Sequence, residues 1–239
     1  MPSPPRERVR SGPPAASAAS TAMSPVRLTA RDQHVAAWVG RWQPATAMQV
    51  AYRFGIARAI AYRRLKALST LGYLQHQRRV HELPGAYTLT ESGYDLTGLE
   101  PSTSGLRSPR ALWGWLAAVD AAVALELAGY ECVPSPELAG HLPLRARVPH
   151  LDEEPVFPEV LAVRGPAAVA LYSAIGPAGT IDRPAAILLS TLADVVPAEG
   201  TELRVLAAEA SANRVRSALG DAGAIVALDP EQIGTPPQP

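Results

Sequence analysis

Thr46-Ala-Met-Gln-Val-Ala-Tyr-Arg-Phe-Gly55-Ile-Ala-Arg-Ala-Ile-Ala-Tyr-Arg-Arg-Leu-Lys66 is the stretch on which the reading of this 239-residue chain turns. Thr46 is a good N-cap, Met48, Val50, Ala51 and Phe54 give the first segment an apolar side, and Gly55 permits a left-handed turn. From about Ile56 to Thr70 the apolar residues Ala57, Ala61, Leu65 and Leu68 recur at helical spacing and form one stripe. Arg58, Tyr62, Arg63 and Lys66 lie off that stripe, toward the opposite side. Two short helices about a glycine turn, the second crowded with arginine, outline a helix-turn-helix. An arginine fork pairs bidentately with guanine, while Lys and Tyr more often reach phosphate. The competing reading is a merely solvated face, and the charge run taken alone favours it.

The flanks shift the balance. Upstream, Thr29 with Asp32 three residues on marks a helix start, Val35, Ala36, Trp38, Val39 and Trp42 follow at helical spacing, and Pro44 ends the segment. Downstream, Leu74 to His76 and Ala86 to Leu89 read as two strands joined across Pro84-Gly85, with Arg78, Arg79 and His81 at the tip. A basic-tipped ribbon beside an arginine-bearing helix is the arrangement in which the tip touches backbone or minor groove. Thr90 opens a short closing helix. The candidate DNA-contacting set is therefore Arg58, Tyr62, Arg63, Lys66, Arg78, Arg79 and His81, with Thr46 at the head of the helix pair.

Three phrases carry a family resemblance: Leu28-Thr29, Leu65 to Gly72-Tyr73, and Tyr87-Thr-Leu-Thr-Glu-Ser-Gly93. With them, residues 28–98 resemble the winged-helix domain of bacterial regulators. More narrowly, the chain is similar to the replication-relaxation group of actinobacterial and mobile-element proteins. That resemblance implies an α+β chain in which a winged helix precedes a nuclease-like α/β domain of restriction-endonuclease type.

Charge is divided along the chain. Residues 26–98 carry ten Arg or Lys against four Asp or Glu, whereas residues 99–239 carry nine against seventeen, so the zero net charge hides a basic front and an acidic back. Such asymmetry is the footprint of a nucleic-acid-binding module beside one that avoids phosphate. Cys132 stands alone, so no intrachain disulfide forms; it reads as a small buried hydrophobe, and a reducing, cytoplasmic, nucleoid-associated setting is expected. No apolar run reaches membrane-spanning length, and no secretory leader is expected at the N-terminus.

Composition sets the divisions. Residues 1–25 and 231–239 are expected to be disordered tails, 26–98 the DNA-binding domain, and 99–110 a linker. Residues 111–230 are expected to form an α/β domain for dimerisation or partner binding. It opens with the apolar helix Ala111 to Ala128, which must be covered by its own domain or by a second subunit. Strands are expected at 130–133, 160–163, 167–172, 203–208 and 224–228, and helices at 185–195 and 212–222.

Catalytic motifs are sparse. An active nuclease-like site needs Pro-Asp followed by further acids or a lysine that converge on Mg²⁺. Pro158-Glu159 supplies a form of the first, but no Asp, Glu, Lys or His lies between Glu159 and Asp182. His141, His150 and Asp152 to Glu154 match no metal spacing, and Gly176-Pro-Ala-Gly179 lacks the lysine of a phosphate loop. No cofactor, no metal and no enzymatic activity are expected. The leading expectation is a sequence-specific binder of double-stranded DNA, a transcriptional regulator acting as a homodimer. Two others stand beside it: a DNA-binding adaptor for plasmid or mobile-element replication or conjugation, and a nuclease with a non-standard acidic site drawn from Asp152, Glu153 or Glu159.

Overall fold

In the computed structural model the described residues are 28–77, 83–101, 109–148, 150–151, 154–155, 157–175, 181, 183–195, 197–229 and 233–234. Both expected tails fall largely outside them, as do Arg78, Arg79 and His81 of the expected wing tip.

The first half is built as its caps dictate. Helix α1 (Ala30–Arg41) opens on a capping box, Thr29 Oγ1 accepting from the Asp32 N–H and the Asp32 carboxylate accepting from the Thr29 N–H. It buries Val35, Ala36, Trp38 and Val39 and stops short of Gln43, which precedes a proline and so disfavours helical backbone. A two-residue strand β1 (Ala45–Thr46), which the sequence did not announce, leads into α2 (Ala47–Arg53), whose capping box is Thr46 with Gln49. Gly55 turns the chain at φ +58°. Helix α3 (Arg58–Thr70) then begins two residues later than the apolar spacing indicated, because Ala57 keeps extended backbone as its N-cap. Strands β2 (Leu74–Gln77) and β3 (Ala86–Leu89) form an antiparallel pair, and β1 adds to the free edge of β3, giving the order β1-β3-β2. Helix α4 (Glu91–Thr97) closes the unit from a Thr90 cap.

The second half starts with α5 (Pro109–Leu127), two residues earlier than expected, with proline at its first position, where its missing N–H costs nothing. A five-stranded mixed sheet follows: β4 (Glu131–Pro134), β7 (Val160–Arg164), β8 (Ala167–Ser173), β9 (Thr201–Ala208) and β10 (Ala224–Leu228). Its order is β10-β9-β8-β7-β4; β8, β9 and β10 run parallel, while β7 is antiparallel to both its neighbours. The parallel steps are crossed by α8 (Arg183–Ala193) and α9 (Ala212–Leu219). Between β4 and β7 lie two short helices, α6 (Ser135–Leu138) and α7 (Leu142–Arg145), and a small pair, β5 (His150–Leu151) and β6 (Glu154–Pro155). Those four were not anticipated, since segments of two to four residues carry no periodicity.

Alternation along each strand sorts side chains into two layers. On β8, Ala168, Ala170 and Tyr172 join α8 and α9 through Leu189, Leu192, Val215 and Leu219. Val169 and Leu171 join Val160, Ala162 and Leu206 on the side of α5. That second layer does not stop at α5. Trp42, Val50 and Leu65 of the first half belong to the same cluster as Trp115, Leu116 and Val123. Trp115 is 1% exposed, and its indole N–H donates to the Trp42 carbonyl at 3.2 Å. The apolar helix is thus covered within its own chain, and the two halves share one wall. Its apolar residues from Leu112 to Val119, with Ala122 and Val123, are inside, while Leu127 at its far end is 52% exposed. Among the described residues no helix is long and apolar enough to cross a membrane.

Candidate nucleic-acid interface

Helix α3 buries Ala61, Leu65 and Leu68, and this fixes what faces outward. Arg58, Tyr62, Arg63 and Lys66 are all exposed and, at about 100° per residue, fall within roughly 140° of the helix surface. Tyr62 is 52% exposed. Among the described residues, no hydrogen bond or ion pair engages the charged ends of Arg58, Arg63 and Lys66.

Three other cations of this half, Arg41, Arg53 and Arg64, behave differently. Arg64, next to Arg63, turns back and pairs with Asp32 at 2.6 Å, joining α3 to the capped start of α1. Burial works against the Asp32 charge, but its hydrogen bonds to Thr29 and Arg64 outweigh that and hold the carboxyl below its usual value. Arg53 pairs with Glu126 of α5, which also accepts from the Trp38 indole at 3.4 Å. Arg41 forks onto Glu137 of α6 at 2.9 and 2.8 Å. The acidic second half therefore neutralises Arg41 and Arg53 but leaves the α3 row uncovered.

The strand pair adds residues that the sequence reading passed over. Gln75 and His76 are exposed on β2, which packs beside α3, and the His76 ring stands 4.7 Å from that of Tyr87. Burial and then the nearby Tyr62 phenol push the Tyr87 hydroxyl up, placing Tyr62 at the junction of α3 with the strands. Alternation from buried Leu74 was the signal that placed Gln75 outward.

Thr46 requires a correction. It is 1% exposed, with its hydroxyl accepting from the Gln49 N–H and donating to the Gly234 carbonyl at 2.6 Å. A side chain so enclosed holds α2 in place and has no surface to offer DNA.

In the second half, Glu159 precedes β7 and accepts from the Ser173 N–H at the end of β8 at 3.0 Å. Carrying the hairpin register one step past Val160↔Leu171 puts Tyr172, 1% exposed, opposite Glu159, and burial and then the Glu159 charge push the Tyr172 hydroxyl up. Gly114 of α5 comes so close that a Cβ there would stand 2.7 Å from Ser173 Oγ. Among the described residues no three His, Cys, Asp or Glu side chains come together to hold a metal ion. Asp152 and Glu153 lie outside the described residues. Cys132 is buried, its thiol pushed up to about 12 by burial and then by the Glu126 charge, and it donates weakly to the Ala122 carbonyl at 3.6 Å.

No family model matches the chain, and no curated protein matches it. The α+β architecture and the uncovered basic row of α3 are accordingly the observations that bear on what the molecule does.

Proposed function

We propose that the protein binds double-stranded DNA through α3, as a winged helix-turn-helix in which α3 enters the major groove and the β2–β3 ribbon is the wing. The observation that carries this reading is the division of labour among neighbouring cations. Arg41, Arg53 and Arg64 are neutralised inside the chain, while Arg58, Arg63 and Lys66 share one outward row with Tyr62 and have no hydrogen-bond or ion-pair partner for their charged ends among the described residues. A row of that kind is matched to guanine edges and phosphates. Transcriptional regulation as a homodimer is part of the proposal, since two α3 helices about one DNA turn apart would read a palindrome; the buried stretch of α5 does not supply the dimer contact. Selecting bound fragments from sheared genomic DNA tests it, giving the site and its symmetry together. Recovery of no enriched sequence, or equal enrichment by an Arg58→Ala, Arg63→Ala double variant, overturns the assignment of α3.

The order α5-β4-β7-β8-α8-β9, with α6, α7, β5 and β6 inserted after β4, resembles a nuclease-like core and is the ground for proposing kinship with the replication-relaxation group and the role of a replication or conjugation adaptor. A stable heteromeric complex on DNA, with no change in transcription on deletion, favours the adaptor over the regulator. The nuclease reading predicts Mg²⁺-dependent cleavage that is lost in Glu159→Ala.

A further inference from the structure

Ile233 and Gly234 lie far in sequence from what they touch. Ile233 is 3% exposed and belongs to the core that α1 begins. Gly234 sits in a notch between the first turn of α2, the middle of α5 and Pro84. Its N–H donates to Asp120 Oδ2 at 2.7 Å, and its carbonyl accepts from Thr46 Oγ1 at 2.6 Å. The other Asp120 oxygen accepts from Gln49 Nε2 at 2.7 Å, and that amide also donates to the Leu116 carbonyl at 3.0 Å. Gln49 Oε1 in turn accepts from the Thr46 N–H at 2.8 Å, so the amide cannot flip without breaking three bonds. Gly234 has φ +76°, and a Cβ would stand 2.8 Å from Pro84 Cγ and 3.0 Å from Thr46 Cγ2. Only glycine fits.

We propose that this notch is a peptide-binding site whose resident ligand is the chain's own Ile233–Gly234 segment, held in cis as a strap that fastens α2 to α5. The site reads the main chain at both ends, with an acceptor for N–H and a donor for C=O, and gives the preceding apolar side chain a seat in the core. Its ligand class is a turn in which an apolar residue is followed by a glycine of positive φ.

The fastening responds to pH. No charged side chain faces Asp120 among the described residues: α2 presents Thr46 and Gln49, the strap presents main chain, and the loop presents Pro84. On α5 itself the next ion is Glu126, six residues on and paired with Arg53. Burial pushes the Asp120 carboxyl up to about 7, the hydrogen bonds from Gln49 and Gly234 pulling the other way. Opening the strap removes the Gly234 hydrogen bond and alters the burial of the carboxyl, so the Asp120 titration reports whether the strap is seated.

No nucleic acid enters the test, so its outcome is independent of the DNA-binding reading. Carbon-detected NMR of the Asp120 carboxyl is followed from pH 3 to 9 in the wild type, Gly234→Val and the milder Gly234→Ala, each checked for folding by far-UV circular dichroism. The Asp120 midpoint of whichever glycine variants remain folded is expected to differ from the wild-type one by about one unit or more. A synthetic peptide of residues 228–239, added in millimolar excess, returns the midpoint of such a variant to the wild-type value. An unchanged midpoint in the folded variants, or no response to the peptide, overturns the proposal.

Discussion

Replacing Arg63 and Arg64 one at a time separates binding from support at adjacent positions. Arg63 points out and its charged end has no hydrogen-bond or ion-pair partner among the described residues, so Arg63→Ala changes stability by less than about 0.5 kcal/mol. If its fork reads a base, the variant loses about 1–3 kcal/mol of affinity for the selected site, roughly 5- to 150-fold, with the salt slope unchanged. Arg64 meets Asp32 at 2.6 Å, with the two side chains 29% and 14% exposed. A charge-assisted hydrogen bond contributes about 1.5–3 kcal/mol when well shielded, and an exposed pair under about 1 kcal/mol. At this intermediate burial Arg64→Ala costs about 1 kcal/mol, lowering Tm by about 2–4 °C for a chain of this size. Its affinity for DNA stays within about twofold once measured well below Tm. Fluorescence anisotropy on the selected fragment at several salt concentrations, paired with thermal melts, reads both effects. Arg63→Ala binding like the wild type, or Arg64→Ala losing more affinity than Arg63→Ala with its Tm intact, refutes the orientation assigned to α3.

Trp115→Ala removes a ring at the shared wall, 6.2 Å from the Trp42 centroid, and is expected to cost about 3–5 kcal/mol; helical and strand signals then fall together in one urea transition at a lower midpoint. Gly93→Ala sets a methyl against the Tyr73 carbonyl and destabilises by about 1–3 kcal/mol, measured as a urea midpoint shift at constant slope. Because the Asp32 carboxyl is held low, its pair contributes fully above the ordinary carboxylate value near 4 and is lost as pH falls through the folded value. Asp32→Asn is expected to flatten the acid limb of stability between about pH 5 and 2, and an unchanged limb would count against the pair.

Caps and periodicity made most of the elements legible. Thr29, Thr46 and Thr90 each open the helix that their positions announced, and the alternation around 160–172 gave a hairpin in register from Val160↔Leu171 to Arg164↔Ala167. What escaped were relations between distant residues. Nothing in Arg63-Arg64 tells which of the two is outward until Asp32 is in place. Nothing in the sequence assigns Glu126 or Glu137 a partner, yet they take up two of the cations counted in the basic front. Thr46 carried the signal of a cap, and that role, once joined by Gly234, leaves it no surface. That Gly114 closes over Ser173 depends on where α5 lies.

The Thr46–Gly234 bond spans 188 residues, and this sets a constraint on how the protein is made. A ribosome delivers Gly234 about 10–40 s after Thr46 at ordinary elongation rates. Throughout that time the seat of Ile233 in the first core is unfilled, although α1, α2 and α3 have already been made. The front of the molecule is consequently completed only when Ile233 and Gly234 have left the exit tunnel, and a nascent chain arrested near residue 229 would expose an apolar vacancy that holdase chaperones recognise.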